Sequence, residues 1–252
     1  MRAPAVAYSA FSARSAYSAR SAYFVLNVLS ALGAPSVLGA CGDVPPLCIS
    51  DPFEAAAVDA RRWQLSAPAQ LAQRDGRLEL ALPAATPINV FAASFARLDL
   101  AGRAVEVDVA RYLRAADPTQ SVLAVLVDNE NELLIKASAG RLYFQLRAGG
   151  VDEAAPPSIA ADPAIDGWRL ANGAGTGEVH FEIRRAGAWT AQRTLAPPFA
   201  LSAVRVQLEA DAFGAGAPAP DVAAFAGLRV IGEPTCSDGG EYDEHHGPYG
   251  PP

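Results

Sequence analysis

Between residues 51 and 232 apolar and polar side chains alternate one by one, segment after segment, and this period of two dictates strands rather than helices. Leu78, Leu80 and Leu82 alternate with Arg77, Glu79 and Ala81. Val105, Val107 and Val109 flank Glu106 and Asp108. Leu142, Phe144 and Leu146 oppose Tyr143, Gln145 and Arg147; Val179, Phe181 and Ile183 oppose His180, Glu182 and Arg184; Val204, Val206 and Leu208 oppose Arg205, Gln207 and Glu209. Successive side chains of a strand point to opposite faces, so each segment has one dry and one wetter side. Turn pairs separate the segments: Asp75-Gly76, Ala101-Gly102, Asp128-Asn129, Ala139-Gly140, Asp166-Gly167 and Ala186-Gly187. The apolar run 121–127, the polar stretch 128–132 and Leu133-Leu134-Ile135 read as a hairpin, and only 53–62 suggests a short helix, with a loop holding one turn as the alternative. One-sided strands must be covered by a second sheet. The expected fold is therefore all-β, an antiparallel β-sandwich or jelly roll over 51–232, with no second core.

The amino-terminal segment has a different grammar. Residues 1–42 hold no Asp or Glu, carry Arg2, Arg14 and Arg20, and then run apolar from Tyr23 to Leu32 before small residues lead to Cys41. A core of about ten apolar residues is too short to span a bilayer and fits a secretory signal. Leu38-Gly39-Ala40-Cys41 resembles the lipobox of bacterial lipoproteins. The resemblance implies a signal peptide over 1–40, lipidation of Cys41, a linker over 41–50 and a place in the cell envelope, on the outer membrane or the periplasmic face. An ordinary signal peptide with a coincidental cysteine is the competing reading. With Cys41 acylated, Cys48 and Cys236 form an even pair in an oxidising compartment, flanking the first and last strands, and a disulfide between them is expected. Two unpaired thiols in the flanks are the alternative.

Charge narrows the partners. The formal net charge is −7, Lys136 is the sole lysine, and no basic run forms a patch, which excludes nucleic acid as an electrostatic partner. The tail over 233–252 mixes Gly, Pro and acidic residues with His245 and His246; weak capture of a transition metal is one reading and a flexible tail the other, and no metal site or cofactor is expected.

Asp51-Pro52-Phe53-Glu54, Trp63, and Arg74-Asp75-Gly76-Arg77-Leu78 resemble the opening of concanavalin A-like lectin/glucanase (laminin G-like) domains. Gly140-Arg141-Leu142-Tyr143-Phe144, Trp168-Arg169-Leu170, Glu178–Glu182, Ala188-Trp189-Thr190 and the closing Phe225–Val230 extend the resemblance. It implies that the last strand returns beside the first. Glucanases of this superfamily carry Glu-x-Asp-x-x-Glu on one strand face. Here the nearest segment is Glu106-Val107-Asp108-Val109-Ala110-Arg111, with Arg111 where the second glutamate belongs. The incomplete motif leads to the expectation of no catalytic residues and no enzyme, with Glu106 and Asp108 as solvated carboxylates.

His180 reads as a surface histidine, and the acids over 128–132 lack the spacing of a calcium loop. A sugar ring stacks on an aromatic side chain with hydrogen bonds from neighbours, and Tyr143, with Gln145 and Arg147 on the same outward face, forms the candidate ligand site. Tyr112 is a second candidate, while Trp63, Trp168 and Trp189 read as core or rim. The leading expectation is a non-catalytic, lipid-anchored envelope protein that recognises polysaccharide. The alternatives are a scaffolding lipoprotein that binds another envelope protein, and a glycoside hydrolase whose carboxylate pair is not legible.

Overall fold

The computed structural model describes residues 49–113 and 118–233. In chain order the strands are β1 (Trp63–Leu65), β2 (Leu71–Arg74), β3 (Arg77–Leu82), β4 (Ile88–Ser94), β5 (Ala104–Arg111), β6 (Thr119–Leu126), β7 (Glu132–Ser138) and β8 (Arg141–Ala148). The chain continues through β9 (Val151–Asp152), β10 (Ser158–Ala160), β11 (Ile165–Asn172), β12 (Val179–Arg185), β13 (Ala188–Leu195), β14 (Arg205–Ala212) and β15 (Asp221–Ile231). They form two antiparallel sheets. One has eight strands in the order β1-β4-β14-β6-β7-β8-β10, with β9 beside β8; the other has seven in the order β13-β12-β11-β5-β15-β3-β2. The closing strand β15 lies between β3 and β5, so the chain's last strand does return beside its early ones.

The period-two segments set the core as expected. Leu78, Leu80, Leu82, Val105, Val107, Leu142, Phe144, Val179, Phe181, Ile183, Val204, Val206 and Leu208 are all buried between the sheets. Phe144 of β8 meets Phe181 of β12 edge-on at 6.4 Å between ring centroids, joining the sheets, and Trp168 packs on Phe225 at 5.9 Å. Arg193 of β13 clamps the same margin, donating from Nη1 to the Phe144 carbonyl at 2.6 Å and to Glu153 Oε2 at 2.5 Å.

Of the two readings of 53–62, a short helix or a loop with one turn, the structure shows the loop, with its turn at 60–62, and a buried carboxylate explains why. Asp51 accepts from the Phe53 amide and from Trp63 Nε1, both at 2.8 Å, and Arg62 stands 3.6 Å away. Phe53 is buried at φ 57° against Trp63, while Ala55, Ala56 and Ala57 are exposed, so no helical face is present to bury. The Asp-Pro-Phe…Trp phrase is therefore a clasp at the start of the sandwich. The two ends of the described chain meet: Glu233 accepts from the Ile49 amide at 3.0 Å and from Ser50 Oγ at 2.7 Å. Cys41, Cys48, Cys236, His245, His246 and the expected signal peptide over 1–40 lie outside the described residues. Among the described residues no helix is long and apolar enough to cross a membrane.

Candidate functional site

Each sheet turns one face away from the core, and cross-strand register lays out what each presents. On the seven-stranded sheet one row reads Trp189–Arg184–Gly167–Asp108–Ala226, and the next reads Ala191–Glu182–Arg169–Glu106–Arg229. The charges in these rows pair with one another. Arg229 donates from Nε to Glu106 at 2.7 Å and from Nη2 to Asp108 at 2.9 Å; Arg184 reaches Asp108 and Asp166, each at 2.8 Å. Arg169 hydrogen-bonds Glu182 and lies 3.8 Å from Glu106. The Trp189 ring takes both guanidinium groups, Arg169 at 4.4 Å and Arg184 at 5.4 Å from its centroid. Gly167 makes room: a Cβ there would stand 3.0 Å from the Trp189 ring and 3.1 Å from Arg184 Cβ.

The expectation of solvated carboxylates at 106 and 108 is therefore corrected. Glu106 is only 7% exposed, and both groups are locked to arginines. Burial pushes the Asp108 carboxyl up, but hydrogen bonds from Arg229 and Arg184 outweigh it and hold the group below the usual carboxylate range. The hydrogen bond to Asp108 in turn raises the Arg229 guanidinium. A carboxylate held ionised by two arginines has no proton to donate, and its charge is matched within the ladder. His180 lies on the same face and shares a 2.9 Å hydrogen bond with Thr194 Oγ1. Arg111 pairs with Asp221 at 2.6 Å, away from both rows.

The outer face of the eight-stranded sheet differs. Its rows read Tyr143–Lys136–Val122–Glu209–Phe91, Gln145–Leu134–Ala124–Gln207–Ala93 and Arg147–Glu132–Leu126–Arg205, with Arg141–Ser138–Gln120–Asp211–Asn89 at one flank. Gln120, Glu132, Gln145, Glu209 and Asp211 are buried, although the alternate residues of their strands are the ones that fill the core. Tyr143, Gln145 and Arg147 do come together on one face of β8. Lys136 Nζ stands 5.7 Å from the Tyr143 ring centre, and Arg147 Nη1 donates to Asp152 at 3.1 Å. Gln145 is not outward in the sense of being wetted: it is 3% exposed. Its Oε1 and Arg147 Nε are buried with no hydrogen-bond partner. The third such atom among the described residues, Trp168 Nε1, belongs to the core. An unanswered buried polar atom costs about 1–3 kcal/mol, and folded proteins hold few.

Sequence reasoning missed Gln120, Glu132, Lys136 and Asp211 as parts of this face, and took Glu209 only as a strand residue. Continuing the β14 alternation two residues further would have found Asp211. Gln207 Nε2 donates to Glu209 at 2.6 Å and Gln120 Nε2 to Asp211 at 3.2 Å. Tyr112 is placed elsewhere, lining a cleft of about 330 Å³ with Val109, Arg111, Ala137, Ser138 and Ile165. Trp63 and Trp168 are core residues, whereas Trp189 belongs to the charged face. Asp128 spends its carboxylate on the hairpin turn, accepting from the amides of Glu130 at 2.8 Å and Asn131 at 2.9 Å. Among the described residues no group of three His, Cys, Asp or Glu side chains converges to hold a metal ion.

No protein-family model and no curated protein matches the chain. Solved structures share its fold. A β-glucanase of Bacillus licheniformis is 12% identical, with a TM-score of 0.54, the match covering 72% of this chain and 96% of that one. A pseudo β-1,3-glucanase and immunostimulatory antigen of Mycobacterium tuberculosis is 13% identical at a TM-score of 0.54, covering 74% and 98%. A legume lectin-like domain from Entamoeba histolytica is 10% identical at 0.53, covering 68% and 90%. The fold is thus the concanavalin A-like lectin/glucanase sandwich. The same neighbours overturn the expectation that the chain is not an enzyme. A glycoside hydrolase shares this architecture, and of the segment 106–111 on which that expectation rested, Glu106 and Asp108 pair with Arg229 while Arg111 pairs with Asp221.

Proposed function

We propose that this concanavalin A-like sandwich engages a polysaccharide on the outer face of its eight-stranded sheet, centred on β8. The observation that carries the reading is the pair of unanswered atoms, Gln145 Oε1 and Arg147 Nε, buried on a face turned away from the core. A ligand that brings hydrogen bonds to these atoms removes a cost that the free protein bears. Tyr143, half-buried in the adjoining row, offers a ring against which a sugar can lie. The shared fold of a lectin-like domain and a glucanase supports the same reading. Binding and hydrolysis are separable activities, and one experiment measures both: affinity electrophoresis of the full chain in gels holding soluble β-glucan, xylan or galactomannan, with release of reducing sugar followed in parallel. Retardation by at least one polysaccharide, weakened about tenfold in Tyr143→Ala, is the expected result. Unretarded migration in every gel refutes the reading. We also propose that an acylated Cys41 tethers the domain to the envelope, a reading supported by the leader's charged, apolar and small-residue order. Partition of the wild type into detergent, with Cys41→Ser remaining in the aqueous phase, is the expected outcome.

A further inference from the structure

We infer that Gln145 and Arg147 together read two neighbouring hydroxyls of one uncharged sugar ring. The inference rests on the polysaccharide reading above and specifies its chemistry. Gln145 Oε1 can only accept a hydrogen bond, so its missing partner is a donor; Arg147 Nε–H can only donate, so its missing partner is an acceptor. With the Gln145 amide oriented as it stands, a carboxylate, sulfate or phosphate answers Arg147 but turns lone pairs toward Gln145 Oε1. An ammonium answers Gln145 and opposes Arg147. Two adjacent hydroxyls satisfy both, one donating its proton to Gln145 and the other accepting from Arg147.

Geometry and charge agree. The two residues rise from alternate positions of β8 onto one face, about 7 Å apart along the backbone, close to the width of a single sugar ring with its substituents. The positive charge of Arg147 is already met by Asp152 at 3.1 Å, so the pair holds no surplus charge for an anion. That ion pair forms the rim of the subsite, with the Arg147 and Asp152 side chains 13% and 28% exposed. On the opposite sheet's outer face the ladder around Asp108 is paired throughout, and Arg111 at the Tyr112 cleft is held by Asp221.

The test is calorimetric titration of the full chain with neutral soluble polysaccharides (β-glucan, xylan and galactomannan), with the best-bound of these after per-O-methylation, and with polygalacturonate. The wild type binds a neutral chain, and both the methylated form, which has no O–H to offer Gln145, and polygalacturonate bind at least about tenfold more weakly. Gln145→Leu and Arg147→Lys each weaken the neutral chain about tenfold, while Gln145→Glu, which still accepts, retains it. Equal binding of the methylated polymer, preference for polygalacturonate, or an unchanged affinity in a folded Gln145→Leu overturns this inference and leaves the polysaccharide reading standing. A wild type that binds none of the polymers overturns that reading itself.

Discussion

The two outer faces of the sandwich are built from the same alternation and similar residue types, yet they treat their polar groups in opposite ways. On the seven-stranded sheet Arg169, Arg184 and Arg229 meet Glu106, Asp108, Asp166 and Glu182, with Trp189 against two of the guanidinium groups. On the eight-stranded sheet more polar side chains are buried, and two atoms of β8 find no partner. A polar face that satisfies itself contributes to stability and asks nothing of a ligand. A face that buries an acceptor and a donor unanswered gives up stability, and a ligand can return it.

This contrast can be broken by mutation. The largest effect belongs to the saturated face. Arg229→Ala leaves Glu106 and Asp108 short of their shared partner and lowers stability by about 2 kcal/mol, a Tm drop of several degrees by calorimetry, with polysaccharide affinity unchanged. Gly167→Ala forces the Trp189 ring and Arg184 aside and costs about 1 kcal/mol, again without touching affinity. Gln145→Leu has the opposite signature: removing the unanswered acceptor leaves stability unchanged or raises it by up to about 1 kcal/mol, read as a higher Tm, while binding falls.

The smallest effect is one of pH. The Asp108 carboxyl titrates below its unfolded value, so its pairing stabilises the fold fully above about pH 4, and that contribution is lost as pH falls through the lower folded value. Acid unfolding curves of Asp108→Asn are expected to be flatter on this limb than those of the wild type.

How much of this was legible beforehand follows from what alternation encodes. Leu78, Val107, Phe144, Phe181 and Val206 declare their dry side locally, because the period belongs to a single strand. It also placed Tyr143, Gln145 and Arg147 on one face. It could not say that Glu106 meets Arg229, 123 positions away, since register between strands distant in sequence is a tertiary property. The same limit hid the burial of Gln145 and the nearness of Lys136 to Tyr143. Spacing left 53–62 open between a short helix and a loop with one turn for a related reason: Asp51 draws Phe53, Arg62 and Trp63 around one carboxylate, and local spacing carries no trace of that. Reading the incomplete motif at 106–111 as a sign of lost catalysis attached significance to carboxylates that the fold uses as struts.

The difference between the faces is most directly tested by a ¹⁵N-resolved NMR titration of the full chain with the neutral polysaccharide that retards it. The expected perturbations fall on the Gln145 side-chain amide, Arg147 Nε–H and the β8 backbone, leaving the Trp189 indole and the Arg169 and Arg184 side chains unmoved. Shifts centred on Trp189 with β8 silent would contradict the account.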